Sequence, residues 1–270
     1  MKDFLKYQVG LKDDILQKRS LVREYLQARI LQMLQDKGVF LNWAFLGGTA
    51  LRFLYNLPRY SEDLDFSLVD SSKDCEFEKV LGGIRRAFNS EDYRVDITTP
   101  KKKTVMSAFI KFPGIFFEMG CSSRMEEVLS IKIEVDTNPP EGAETETTIV
   151  RRFVTVNVNH YSRSSLLAGK LHAVLTRQYT KGRDLYDLIW YLSDRLWPDP
   201  NLILLNNALI QTEWNGPVFN ERNWRQLLAE RMSDLQWKQV QVDLAPFLER
   251  QDDLSLISYE NCMKLLEREI

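Results

Sequence analysis

The chain is poor in the residues that build disulfide frameworks, zinc sites and hydrolase triads. Its three cysteines are odd in number, far apart and without a CxxC pair, at Cys75, Cys121 and Cys262. That pattern is typical of a protein from a reducing cytosol. The two histidines, His160 and His172, lack metal-ligand spacing. The sequence also supports no Ser-His-Asp or Cys-His arrangement.

Long hydrophobic runs and an excess of positive charge are also missing. No apolar stretch approaches the ~20 residues of a membrane span, and the N-terminal MKDFLKYQVG is charged where a signal peptide needs an apolar run. We therefore expect a cytoplasmic protein without a membrane partner, and a monomer is compatible with the sequence. A net charge of -2 and a pI near 5.9 mean that nucleic-acid contacts need a local basic patch, for which Lys101–Lys103 and Arg151–Arg152 are candidates.

The apolar fraction of 44% in 270 residues is enough for one large domain or two modest ones. Hydrophobic periodicity predicts an α/β half at 1–163 and a helical half at 164–270. Within them it predicts helices at 11–36, 49–55, 76–89 (interrupted at Gly82–Gly83) and 165–195 (broken near Thr180–Gly182), a helical tail from about 200, and strands at 43–46, 61–68 and across 93–136, including IFFEMG.

Two aspartates lie on one face of the strand at 61–68. Asp63 and Asp65 are two residues apart, so both carboxylates face the same side, ~6.6 Å apart along the backbone. A divalent cation bound by both carboxylates offsets the repulsion between their negative charges, and Mg²⁺ prefers oxygen ligands. The alternative is a solvated acidic strand end.

A third acid is available on IKIEVD, residues 131–136. The alternation directs Lys132, Glu134 and Asp136 away from the core. If this strand lies beside 61–68, Glu134 or Asp136 completes a three-carboxylate cluster of the kind that two-metal phosphoryl chemistry uses. The alternative is an edge strand with a charged outer face.

A glycine pair opens the helix that follows the first strand. Backbone N–H groups at Gly47, Gly48 and Thr49 predict an anion site at a helix N-terminus. It is not a Walker loop, because no lysine follows at the required spacing, and tight turns also use glycine pairs. Arg59 and Ser61, just ahead of the aspartates, are added as candidate nucleotide contacts.

The segment SLLAGKLHAVLTRQYTKGRDLYDLIWYL, residues 165–192, carries a further charged group. Lys170 lies on a predicted helix, and Asp184 and Asp187 share one face of the next helix. A lysine oriented by an aspartate would neutralise a triphosphate. The alternative is an Arg/Asp salt-bridge network that ties two helices together.

Taken in order, GGTALRFLY…RYSEDLDF, IKIEVD and LLAGKLHAVLTR…KGRDLYDL resemble the AbiEii/AbiGii toxin family of the nucleotidyltransferase superfamily. The resemblance covers residues 45 to 192. It implies an α+β fold, in which a polymerase-β-like nucleotidyltransferase domain with a mixed sheet flanked by helices is joined to a helical C-terminal domain. Its residue matches are Gly48–Thr49 for the triphosphate, Asp63 and Asp65 for metal, Glu134 with Asp136 in reserve, Lys170, and either Asp184 or Asp187.

The resemblance also implies a function. The expected enzyme is a Mg²⁺-dependent nucleotidyltransferase toxin, with two ions, that transfers NMP from an NTP to the 3′ end of tRNA and is opposed by a cognate antitoxin encoded nearby. Two alternatives stay open. One is a nucleotidyltransferase acting on a small molecule or a protein, and the other is a decayed nucleotide- or partner-binding module.

Overall fold

The computed structural model describes residues 2–100, 104–179 and 181–267, so the basic candidates Lys101–Lys103 lie outside the described residues. The chain divides into two compact units, which we call the sheet unit and the helical unit. The sheet unit runs to Tyr55 and includes Tyr60–Pro139 and Thr147–His160; the helical unit includes Asn56–Arg59, Pro140–Glu146 and the chain from Tyr161.

Strands of the described residues form one mixed sheet of seven, in the order β3-β4-β5-β2-β1-β7-β6. Their bounds are β1 Trp43–Leu46, β2 Leu64–Leu68, β3 Asp96–Thr98, β4 Val105–Pro113, β5 Val128–Asp136, β6 Thr145–Arg152 and β7 Val154–Tyr161. β2 is central: it runs antiparallel to β1 and parallel to β5. The pairing of the two acidic strands, on which the predicted cluster depends, is therefore confirmed.

Strict alternation of apolar and polar residues gives β2 and β5 one buried face. Leu64, Phe66, Ile131, Ile133 and Val135 are almost inaccessible to solvent. Side chains at the intervening positions lie on the opposite face, because successive side chains of a strand alternate. The apolar face fixes the register, since a slip of one residue would bury the acids.

Among the residues that the structure describes, the α-helices of the sheet unit are α1 Lys2–Gly10, α2 Ile15–Asp36, α3 Gly47–Tyr55, α4 Phe77–Ser90 and α5 Ile115–Glu118. The Asp14 side chain caps α2 by accepting from the N–H of Gln17 at 2.8 Å. α2 is tied to α3 by the buried pair Glu24–Arg52, with an N···O distance of 3.0 Å. A buried ion pair is stable only when both partners are present, because one charge alone would be buried without compensation. The contact between Glu24 and Arg52 therefore fixes how α3 packs.

In the described part of the helical unit the α-helices are α6 Arg163–Thr176, α7 Gly182–Ser193, α8 Leu202–Gln211, α9 Trp224–Ser233, α10 Trp237–Leu244 and α11 Tyr259–Leu266. Gly182 begins α7, and a Cβ there would collide with the carbonyl of Val240 on α10. Only glycine allows these two helices to approach so closely. Among the described residues, no helix combines the length and the hydrophobicity needed to cross a bilayer.

Two predictions of secondary structure were wrong, and two strands were not predicted. Gly82–Gly83 do not interrupt α4, which continues to Ser90. Close approach explains the glycine at position 83, because a Cβ there would meet the Lys37 side chain. IFFEMG is not a strand: Gly114, with φ +75°, turns the chain into the short helix α5. The strands β6 and β7 were missed altogether.

Candidate active site

Two acidic side chains lie next to each other across neighbouring strands. Asp65 of β2 is the direct register partner of Glu134 of β5, and Ser67 is the partner of Asp136. Register partners share a sheet face and lie roughly 4.8 Å apart in adjacent strands. Asp63 stands one residue before β2, outside the strand on which the sequence had placed it, so strand pairing does not fix the position of its side chain. The sheet thus brings together acids that are about 70 positions apart in the sequence.

Gly47 lies against the Asp65 carboxylate. Its neighbour Leu46 is the register partner of Asp65, and the backbone of Gly47 has φ +80°. A Cβ on this residue would lie 2.5 Å from Oδ2 of Asp65. The glycine is required both by its left-handed backbone and by the carboxylate beside it. The glycine-rich start of α3 therefore adjoins the acidic pair.

Two polar side chains hold the loop that leads to Asp63. The Gln27 amide of α2 donates to the carbonyls of Ser61 and Glu62 at 3.1 and 3.0 Å. The Thr49 hydroxyl donates to the carbonyl of Asp63. Thr49 is fully buried, and its hydroxyl positions the backbone of Asp63. A contact between Thr49 and a phosphate stays a prediction.

The sequence-based reasoning missed Gln27. A polar residue among the buried positions of α2 could have signalled it, because a buried amide needs partners. Ser61, expected to contact nucleotide, meets Gln27 through its backbone carbonyl. A side-chain contact between Ser61 and nucleotide stays a prediction.

Glu134 has a cation beside it on its own strand. Nζ of Lys132 lies 2.7 Å from Oε1 of Glu134, and both side chains are about 30% exposed. Spacing of two residues puts both on one face. Asp136, at the end of β5, accepts from the N–H of Asn138 at 2.9 Å. Burial raises the pKa of Asp136, although that hydrogen bond opposes the rise.

The donor set fits a divalent cation in part. Within the described ranges, no group of three His, Cys, Asp or Glu side chains stands ready to hold a metal ion, so the expected three-carboxylate cluster is not preformed there. Mg²⁺ in nucleotide sites is usually held by one or two carboxylates, with substrate phosphates completing its ligands. The neighbouring oxygen donors of Asp65 and Glu134 suit that chemistry.

A second charged group lies inside the helical unit. Nζ of Lys170 on α6 is 2.8 Å from Oδ1 of Asp184 and 2.8 Å from Oδ2 of Asp187, both on α7. Arg177 also pairs with Asp184. The sequence spacing did not choose between Asp184 and Asp187, and in the structure both form ion pairs with Lys170.

Attraction outweighs burial in this group. Burial lowers the pKa of Lys170. Asp184 and Asp187 raise that pKa by more than burial lowers it, so it lies above its ordinary value. Burial raises the pKa of Asp184, whereas Lys170 and Arg177 pull it below its ordinary value. Lys170 and Asp184 are therefore both charged at neutral pH. A catalytic role for Lys170, Asp184 or Asp187 stays a prediction.

Arg59 does not lie in an exposed phosphate site. Its guanidinium forms two parallel hydrogen bonds with Asp187, both 2.6 Å long, and the side chain is 2% exposed. An Arg/Asp salt bridge of the kind weighed as the alternative from the sequence is therefore present, between Arg59 and Asp187. A bidentate pair uses the face of arginine that would grip a phosphate; a contact between Arg59 and nucleotide stays a prediction.

Comparisons with known proteins identify the family of the chain. The family model "Nucleotidyl transferase AbiEii toxin, Type IV TA system" matches residues 29–261. The structure is similar to MenT4, nucleotidyltransferase toxin Rv2826c from Mycobacterium tuberculosis H37Rv, at 16% identity and a TM-score of 0.60, covering 100% of this chain and 90% of that one. It is also similar to JHP933 from Helicobacter pylori, at 20% identity and a TM-score of 0.50, covering 92% and 88%. Curated protein sequences give no match.

The structural likenesses confirm the expected α+β fold, a mixed sheet flanked by helices. The family match covers most of the chain and carries the enzyme class. Enzymes of this kind use a nucleoside triphosphate and a divalent metal ion, and a type IV system supplies an antitoxin partner. The chain belongs to the AbiEii family of nucleotidyltransferase toxins of type IV toxin–antitoxin systems.

Proposed function

We propose that the protein transfers an NMP unit from an NTP to the hydroxyl at the 3′ end of tRNA, and that Mg²⁺ is its metal. The observation that carries the catalytic part is the register pairing of Asp65 with Glu134 beside Gly47. The choice of tRNA rests on the resemblance to toxins with this acceptor. Blocking the 3′ end would stop aminoacylation and growth.

In this proposal the start of α3 binds the triphosphate. Backbone N–H groups at Gly47–Thr49 face the phosphates and have the positive end of the helix dipole behind them. Thr49 and Gln27 fix the loop before β2 through its carbonyls, so the carboxylates that follow keep one position. Positioning of this kind supplies much of the acceleration in phosphoryl transfer.

Asp63, Asp65 and Glu134 would hold the metal, and Asp136 is a further candidate ligand. The proposal includes two metal ions. When bound, Mg²⁺ polarises the attacking hydroxyl and stabilises the charge on the leaving group. The acceptor oxygen forms a bond to the α-phosphorus, the bond to the β-phosphate oxygen breaks, and pyrophosphate leaves. Glu134 accepts the proton of the hydroxyl, with Lys132 fixing its carboxylate.

Label transfer tests the proposal. The intact protein is incubated with each α-³²P-labelled NTP and Mg²⁺ in the presence of total RNA, total protein or small amines. We expect label on RNA of tRNA length, and none with Asp63→Ala. Asp96→Ala, on an exposed position of β3, is the matched control and should keep full activity.

Two results would overturn parts of the proposal separately. Label on protein or on small amines alone would refute tRNA as the acceptor and leave the enzyme class. Full transfer by Asp63→Ala would refute the assignment of the acidic residues.

A further inference from the structure

One aromatic side chain of β4 lies on the sheet face that carries the acids. Ala108, Ile110 and Phe112 of this strand are buried in the core with at most 1% exposure, so the positions between them belong to the opposite face. Phe109 is one of these positions, and it is partly exposed to solvent. The core face of β4 is already apolar, so the core does not account for a ring on the other face.

Strand register places Phe109 close to the proposed catalytic pair. Ser107 of β4 is the register partner of Glu134, and Phe109 is the register partner of Lys132. Glu134 is in turn the partner of Asp65 on β2. With neighbouring strands about 4.8 Å apart and two residues of β4 about 6.8 Å long, the backbone of Phe109 lies about 8 Å from that of Glu134. A single nucleotide spans a distance of this order.

The described chain supplies no stacking partner for this ring. Within residues 2–100, 104–179 and 181–267, no aromatic ring and no cationic group packs on Phe109. Its register partners are Thr98 on β3 and Lys132 on β5, and the Lys132 ammonium is bound to Glu134 at 2.7 Å. A partly exposed ring without an aromatic neighbour can stack with a flat ligand.

The order of the strands separates two sides of the acidic pair. β4, β5, β2 and β1 are neighbours in that order, so the start of α3, which follows β1, lies on the side of Asp65 away from Phe109. The proposed triphosphate site is on the α3 side. In phosphoryl transfer the attacking and leaving oxygens are roughly in line, so the acceptor hydroxyl approaches from the side opposite to the pyrophosphate, which is the side of β4.

We propose that Phe109 stacks on the last base of a single-stranded nucleic-acid end and so holds its 3′ hydroxyl beside Glu134. Because it places the acceptor, this inference rests on the proposed function, and it adds how the acceptor is recognised. Stacking on an aromatic side chain tolerates every base, since each has a π-face. An unpaired base can splay out to meet the ring, whereas a paired base is held in its duplex. The acceptor is therefore selected for its unpaired end.

Steady-state transfer by the intact protein tests the proposal. The acceptor is a hairpin RNA with a short unpaired 3′ tail, and the donor is the α-³²P-labelled NTP that is transferred best. Phe109→Leu keeps the apolar bulk and removes the π-face, so it should raise the KM for RNA at least about fivefold and leave the KM for NTP unchanged. Phe109→Trp should restore the wild-type KM. Phe117→Leu, at an exposed phenylalanine of α5, is the matched control and should behave as the wild type does.

A second acceptor, whose terminal nucleotide lacks its base, isolates the stack. Removing that base should weaken RNA binding to the wild type by the same factor as Phe109→Leu does, and it should have no further effect in Phe109→Leu. Fluorescence anisotropy of 5′-labelled RNA with Mg²⁺ and without NTP measures these affinities, so this arm does not depend on transfer. The unfolding midpoint of each variant verifies its fold.

The outcomes separate this inference from the proposed function. RNA binding that needs both Phe109 and the terminal base supports the stack even when no label reaches RNA, a result that refutes only the transfer reaction. Transfer to RNA with an unchanged KM for RNA in Phe109→Leu would overturn the stack and leave the proposed function standing. Two further results would overturn it: no binding of RNA to the wild type, and a loss in Phe109→Leu that is additive with removal of the base, as a packing role would give.

Discussion

Gly47→Ala should separate positioning of the catalytic acid from stability of the fold. Alanine at this position must adopt a left-handed backbone with φ +80°, which costs about 1–2 kcal/mol of unfolding free energy. Its Cβ would also lie 2.5 Å from Oδ2 of Asp65, whereas ordinary contact begins near 3.4 Å. The difference, 3.4 minus 2.5, requires the carboxylate to retreat by about 0.9 Å. A displacement of this size costs about 10²-fold in rate when it affects a reacting geometry.

Gly120→Ala is the matched control. Gly120 has a similar backbone, φ +72°, but an added Cβ there meets nothing within 4 Å. Both variants should therefore lose about 1–2 kcal/mol of unfolding free energy, measured by denaturant titration. Only Gly47→Ala should lose about 10²-fold in the initial rate of label transfer at saturating NTP. Equal rates in the two variants would refute the reasoning.

Three further predictions concern the supports of the site and the charged group of α7. Thr49→Val removes the donor to the Asp63 carbonyl and should lower the unfolding free energy by about 1–3 kcal/mol and the transfer rate with it; Thr49→Ser should restore both. Glu24→Ala removes the carboxylate that pairs with the buried Arg52 and should cost about 3–5 kcal/mol in denaturant titration; a smaller loss than in an exposed-site variant would contradict this. Asp184 has a folded pKa below its ordinary 3.8. Its stabilisation is therefore present above about pH 4 and lost as the pH falls further, so Asp184→Asn should flatten the acid limb of the stability curve; an unchanged limb would count against the ion pairs.

Period-two alternation was sufficient to predict the acidic strands. LDFSL and IKIEVD carry their apolar residues at every second position, and each became a strand with its acids on the open face. The pairing of the strands was a conditional expectation, because their spatial order is set by contacts between distant segments. The helix after the glycine pair was also predicted, since its apolar positions recur at helical spacing.

Other features depended on tertiary contacts that a local pattern does not carry. IFFEMG is as apolar as a typical buried strand, but the left-handed turn at Gly114 leads into the short helix α5. Arg59 was assigned to phosphate because arginine binds it well, but its partner Asp187 is 128 positions away. Gln27 acts through Ser61 and Glu62, which only the folded backbone brings near.

The central claim is that Asp65 and Glu134 form the reacting centre for nucleotidyl transfer. Its most direct test is single-turnover transfer of the α-phosphate label by Asp65→Asn and Glu134→Gln, with Asp96→Asn as the exposed control on the same sheet. The account predicts a loss of at least about 10²–10³-fold in both site variants, with unfolding midpoints unchanged and the control unaffected. Transfer at the wild-type rate in either folded site variant would contradict it.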